Sequence, residues 1–101
     1  SCSINKEQNR FLDSIEISSR IHNKKLDLSN MSLDRIPNLS IYDIEEVNLS
    51  NNKIKKFEEK LFSKKIKKIN LMNNKISGFV VIDSLDLENL NMSRNKIEKI
   101  Y

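Results

Sequence analysis

Few residues of this chain have side chains suited to bond-making chemistry, and their spacing argues against it. Cys2 and His22 are the single cysteine and the single histidine. They stand twenty residues apart with nothing between them that fixes a mutual geometry. A thiolate nucleophile needs a base within hydrogen-bond reach, and zinc needs several nitrogen or sulfur ligands at short spacings. Neither chemistry is expected here. Asp83, Asp86 and Glu88 gather in or beside a connecting turn, but nothing separates them into an acid and a base. Gly78 is the sole glycine, which leaves no glycine-rich loop to cradle a phosphate. The expectation is a protein without catalysis, metal, cofactor or small-molecule substrate.

Lysine and asparagine offer more. Lysine and arginine number 18 against 14 acidic residues, a formal charge of +4. The stretch from Lys53 to Lys68, KIKKFEEKLFSKKIKK, could meet a nucleic acid, an anionic membrane or an acidic protein. Glu58 and Glu59 interrupt it, and no aromatic stacking platform accompanies it. Nucleic acid is therefore not the leading expectation. Asn-x-Ser tripeptides begin at Asn30, Asn38, Asn48 and Asn91. They match a glycosylation acceptor pattern, but a repeat running through the chain generates most of them.

That repeat supplies the elements that position everything else. IEEVNLSNNKIKKF from Ile44 and IKKINLMNNKISGF from Ile66 are one pattern, 22 residues apart. Apolar residues fall at positions one, four, six, eleven and fourteen, with asparagine at nine. The first copy supplies Ile44, Val47, Leu49, Asn52, Ile54 and Phe57, and the second Ile66, Ile69, Leu71, Asn74, Ile76 and Phe79. A third copy has Leu87, Leu90, Met92, Asn95, Ile97 and Ile100, and an imperfect one precedes them with Leu26, Leu28, Leu33 and Ile36. A fixed period of this length marks a solenoid. Polar and apolar residues alternate over positions three to seven, which predicts a short strand buried on one face. Strands returning once per repeat must be parallel neighbours. Asn52, Asn74 and Asn95 follow the strands, where backbone groups lose their ladder partners. An inward amide both donates and accepts, so these three are read as a structural ladder bridging successive turns.

The seven or eight residues between copies are too few for a full helix, so extended or 3₁₀ turns are expected, plugged by Leu39, Ile41, Leu61, Phe62, Ile82 and Leu85. Residues 1–22 lie outside the repeat. Phe11, Leu12 and Ile15 have helical spacing, with Asn5 placed to cap such a helix. This segment is expected to cover the first repeat, because a stacked array exposes an apolar end. The array itself runs over 23–101, with repeats starting near 23, 44, 66 and 87. No segment of the sequence follows the last copy to seal Leu90, Met92 and Ile97, so the expectation is either a piece of a longer array or self-association through that edge. Hydrophobic content of 38% and charged content of 32% fit an ordered, soluble protein, and the longest apolar run is Phe79–Ile82.

The pattern LxxLxLxxNxLxxL, written here as IEEVNLSNNKIKKF, IKKINLMNNKISGF and LENLNMSRNKIEKI, resembles the leucine-rich repeat family. The short period and recurrent Asn-Lys-Ile are similar to the subclass typified by regulators of protein phosphatase 1. The resemblance implies an α/β fold: a right-handed solenoid with a parallel sheet on its concave face, here with an N-terminal helical cap, used to bind proteins. Secreted vertebrate-type members carry cysteine-rich caps. Their lack in this sequence favours a cytoplasmic protein, with a bacterial lipid-anchored (through Cys2) or secreted one as the alternative.

Outward-facing strand positions would form rows across the concave face. The residues expected to bind a partner protein are Lys25, Asp27, Glu46, Asn48, Lys68, Asn70, Met72, Asn73, Asn91 and Arg94. Met72 is the one large apolar residue among them, a flexible contact anchor. Lys53, Lys75 and Lys96 recur at position ten as a basic strip, the surface that an alternative polyanion or membrane partner would use. A further alternative makes the chain the recognition part of a larger enzyme or effector.

Overall fold

The computed structural model describes residues 12–101. Cys2, Asn5 and Phe11, and with them the expected lipid anchor and cap at Asn5, lie outside these. Asp13 starts the first element, the helix α1 (Ser14–Ser19): its Oδ1 accepts from the Glu16 amide at 2.8 Å, which satisfies one of the N–H groups orphaned at a helix start. Leu12 and Ile17 flank this cap at the two positions of a hydrophobic staple, and both are buried. Ile15, expected to lie on the first repeat, is instead 79% exposed. With the cap at Asp13, the helix turns Ile17 inward and Ile15 out.

The strands follow in chain order: β1 (Ile21–His22), β2 (Lys25–Asp27), β3 (Glu46–Asn48), β4 (Lys68–Asn70), β5 (Ser77–Val80), β6 (Asn89–Asn91) and β7 (Lys96–Ile100). Five of them form one sheet in the order β1-β2-β3-β4-β6. β1 and β2 are an antiparallel hairpin whose two-residue turn, Asn23-Lys24, has φ of 53° and 62°. Such turns match strand twist and favour asparagine in the left-handed region. The other pairings are parallel and in phase: Leu26, Val47, Ile69 and Leu90 are aligned neighbours, as are Asp27, Asn48, Asn70 and Asn91. The molecule is thus a solenoid of about four turns, each adding one strand.

Behind the sheet a continuous apolar core runs along the stack. Leu28, Leu49 and Leu71 are wholly buried, as are Ile54 and Leu39. The ring of Phe57 stacks on Phe62 with centroids 5.5 Å apart. A 3₁₀ turn at Glu59–Leu61 forms one of the connections. Adjacent connections are tied together, since the Leu39 amide donates to the Leu61 carbonyl at 2.7 Å. Of the two plugs expected from this connection, Leu39 fills the interior, whereas Ile41 points outward at 72% exposure.

The largest departure lies on the far side of the later turns. There β5 and β7, lying towards the ends of the second and third copies, pair in a second, two-stranded parallel sheet that the alternation over positions three to seven did not predict. The register shifts between Gly78 and Phe79, and Gly78 has φ +78°, a conformation that costs glycine little and other residues more. The extra residue is Glu98 on β7, and β5 itself alternates regularly from buried Ile76 to buried Val80. Val80 is 1% exposed, while Phe79, expected in the interior, is 65% exposed and meets Tyr101 edge-on at 5.8 Å. In the last turn Leu90, Met92 and Ile97 are only partly buried.

Candidate binding face

Past each strand the chain bends, and three rows of asparagine manage the bend in different ways. Asn52 and Asn74 are buried at 8% exposure each. The Asn52 Oδ1 accepts from the amides of Met31 and Leu33 in the preceding turn, at 3.0 and 2.9 Å. Its Nδ2 donates to the carbonyls of Leu28 and Leu49, each at 3.0 Å. Asn74 repeats this one turn on, accepting from Ile54 and donating to Leu49 and Leu71. Asn95 does so again, with Ile76, Leu71 and Met92. Each amide joins its own turn to the one before it.

At position eight Asn30, Asn51, Asn73 and Arg94 all have φ between 57° and 60°. Asparagine enters this left-handed region several-fold more readily than most residues. The recurrence of asparagine there is therefore a backbone requirement. Asn73 Nδ2 also donates to Asn51 Oδ1 at 2.7 Å across adjacent turns.

The third row, at position five, projects from the open face of the sheet. Asp27 Oδ1 accepts from both the amide and the hydroxyl of Ser29, at 3.0 and 2.7 Å. Asn48 Oδ1 holds Ser50 in the same way at 2.9 and 2.6 Å, and Asn91 holds Ser93 at 3.0 and 2.8 Å. Asn70 Oδ1 accepts from the Met72 amide at 3.0 Å. These are Asx turns, in which a side-chain oxygen two residues upstream takes the place of a backbone acceptor. They also give a structural reason for the Asn-x-Ser tripeptides at Asn38, Asn48 and Asn91, since Asn38 binds Ser40 identically. Ser50, held by this contact, is buried.

The open face forms a groove of about 600 Å³. Of the expected partner-binding residues, it brings together Lys25, Asp27, Glu46, Asn48, Lys68 and Asn70. Asn91 on β6, and Met72, Asn73 and Arg94 in the turns beyond the strands, do not line it. Arg20, His22 and Asn23 do, brought in by the β1–β2 hairpin. The signal that could have found them is Asn23-Lys24 between short alternating segments, a hairpin turn sequence. Charges alternate along the row at position three, where Lys68 Nζ lies 3.6 Å from Glu46. Lys25 makes no ion pair among the described residues. The Ser29 hydroxyl and amide hold the Asp27 carboxyl below the usual aspartate range, with a smaller contribution from the Arg20 charge.

Lys53, Lys75 and Lys96 are exposed and stack in phase along one flank, their amides each donating to the preceding turn. The lysine-rich stretch around them is partly balanced. Lys60 pairs with Glu58, Lys65 with Asp43 and Lys68 with Glu46, all at 4.0 Å or less. Lys64 Nζ is engaged by the Ser84 carbonyl at 2.9 Å. Among the described residues no cluster of three histidine, cysteine or carboxylate side chains is placed to hold a metal ion, and no helix is long and apolar enough to cross a membrane.

Compared with family models, curated proteins and solved structures, the chain matches none.

Proposed function

We propose that this chain is a leucine-rich-repeat module that binds a partner protein through the concave face of a right-handed solenoid, without catalysis or cofactor. The observation that carries this reading is the in-phase row of outward polar side chains on β2, β3, β4 and β6, bordering a groove on a sheet pinned from behind by the asparagine ladder. A surface held in this way loses little side-chain and backbone freedom when a partner docks, so more of the contact energy appears as affinity. In this reading α1 and the β1–β2 hairpin act as the N-terminal cap, with Leu12 and Ile17 closing the first turn.

The test is affinity capture from cell lysates at physiological salt with three forms of the chain. One is native, one carries Lys25→Glu with Lys68→Glu on the groove, and one carries Lys53→Glu, Lys75→Glu and Lys96→Glu on the flank. All five positions are exposed, so each variant keeps its fold by circular dichroism. The reading requires a protein retained by the native and flank forms and lost by the groove form. Loss confined to the flank form, with material that washes off as salt rises, would point to the polyanion reading instead.

A further inference from the structure

Asparagine brings one acceptor and two donor hydrogens to a surface, and the open face of this sheet uses up the acceptors. In the row at position five, Oδ1 of Asn48, Asn70 and Asn91 is engaged by the Asx turns. No partner within the described residues takes their Nδ2 hydrogens. The orientation of these amides does not rest on choosing between nitrogen and oxygen, because Asp27 makes the same turn in the same register with a side chain that can only accept. At Asn48, Asn70 and Asn91 the outward row therefore presents unclaimed donors. Neighbouring strands stand about 4.8 Å apart, so three donors on β3, β4 and β6 form a line about 10 Å long. That is the reach of roughly three extended residues.

We infer that the partner element recognised on this face is an extended peptide segment carrying acidic side chains, with its carboxylates seated on the Nδ2 row and beside Lys25. The inference rests on the concave-face reading above and adds the chemistry of what is bound. Carboxylates are acceptor-only and accept charge-assisted bonds from amide donors. Of the cations lining the groove, Arg20 pairs with Glu16 at 3.2 Å and Lys68 with Glu46 at 3.6 Å, which leaves Lys25 as the one with no ion pair among the described residues. The interleaved Asp27 and Glu46 disfavour a uniform polyanion, whose evenly spaced charges would meet them. A peptide with separated acidic residues can place neutral positions there.

The probes are three octapeptides, alternating glutamate–serine, glutamine–serine and lysine–serine, titrated into the ¹⁵N-labelled chain at physiological salt. The side-chain NH₂ signals of Asn48, Asn70 and Asn91 should shift saturably with the glutamate peptide, more weakly with the glutamine peptide, and not with the lysine peptide. Asn70→Asp keeps the turn, as Asp27 shows, but removes a donor and adds a like charge, so it should weaken glutamate-peptide binding about tenfold or more. Three results would overturn the inference. The lysine peptide could move these amides in place of the glutamate peptide. The glutamate peptide could shift only Lys53, Lys75 and Lys96. No face signal could move with any peptide up to millimolar concentration. If any of these occurs while capture still depends on Lys25 and Lys68, the face remains the binding surface and only the acidic partner is wrong.

Discussion

Two rows of asparagine, four residues apart in each repeat, show how position decides what one side chain is for. Asn52 and Asn74 face inward and engage both ends of the amide, joining two turns of the solenoid. Asn48 and Asn70 face outward and engage only the oxygen, within a single bend of the chain. The inner row is fully committed to the fold, and the outer row keeps half of its bonding capacity. What a folded surface can bind is what its own backbone has not already claimed.

The sharpest way to break this comparison is to make the same substitution in both rows. Asn74→Asp places an anionic acceptor against the carbonyls of Leu49 and Leu71 in a buried site. Each buried group left without a partner costs about 1–3 kcal/mol, and more where charge is involved. A loss of about 4 kcal/mol or more, read from urea denaturation, is expected. Asn70→Asp should stay within about 0.5 kcal/mol of native, because the oxygen that bonds Met72 is retained.

A smaller effect tests the row at position eight. Arg94 sits at φ 59° where the other repeats have asparagine. Left-handed backbone costs an ordinary residue about 1–2 kcal/mol, and asparagine less. Arg94→Asn should therefore stabilise the chain by about 0.5–1 kcal/mol, raising its urea midpoint. An unchanged or lowered midpoint would remove the backbone explanation for that row.

The smallest effect is in acid. Asp27 and Glu59 both have lowered pKa values, through hydrogen bonds from Ser29 and Ser84 respectively. A carboxylate whose folded pKa is depressed adds stability above its unfolded pKa and loses it as pH falls through the folded value. Thermal stability should then decline as pH drops below about 4, the ordinary carboxylate range. Asp27→Asn, which matches the residue of the next three repeats, should make that decline shallower while leaving stability at neutral pH nearly unchanged.

The parallel strands were legible because polar and apolar residues alternate at a constant phase, and a strand slipped by one residue would turn its buried side chains outward. Val47, Ile69 and Leu90 lie in register as that argument requires. Phe79 was not legible in the same way. Its place in the pattern matched Phe57, but the chain past Ile76 is drawn into β5, whose alternation turns Phe79 outward and Val80 inward, and the pairing with β7 leaves no mark in the spacing. The face residues were partly readable. Alternation placed Lys25, Glu46 and Lys68 on the outward side, whereas the Asx turns at Asn48 and Asn91 needed the serine two residues on to be read as a bonding partner. Arg20 and His22 were missed because they precede the repeat, and only the pairing of β1 with the first repeat's strand brings them to the groove.

The most direct measurement is hydrogen exchange at the asparagine side-chain NH₂ groups, followed by NMR on the ¹⁵N-labelled chain. Protection is expected for Asn52 and Asn74, whose Nδ2 hydrogens bond buried carbonyls, with exchange near that of a free amide for Asn48, Asn70 and Asn91. Equal protection in both rows would mean that the outer donors are also committed to the fold, and the claim that this face holds them ready for a partner would fail.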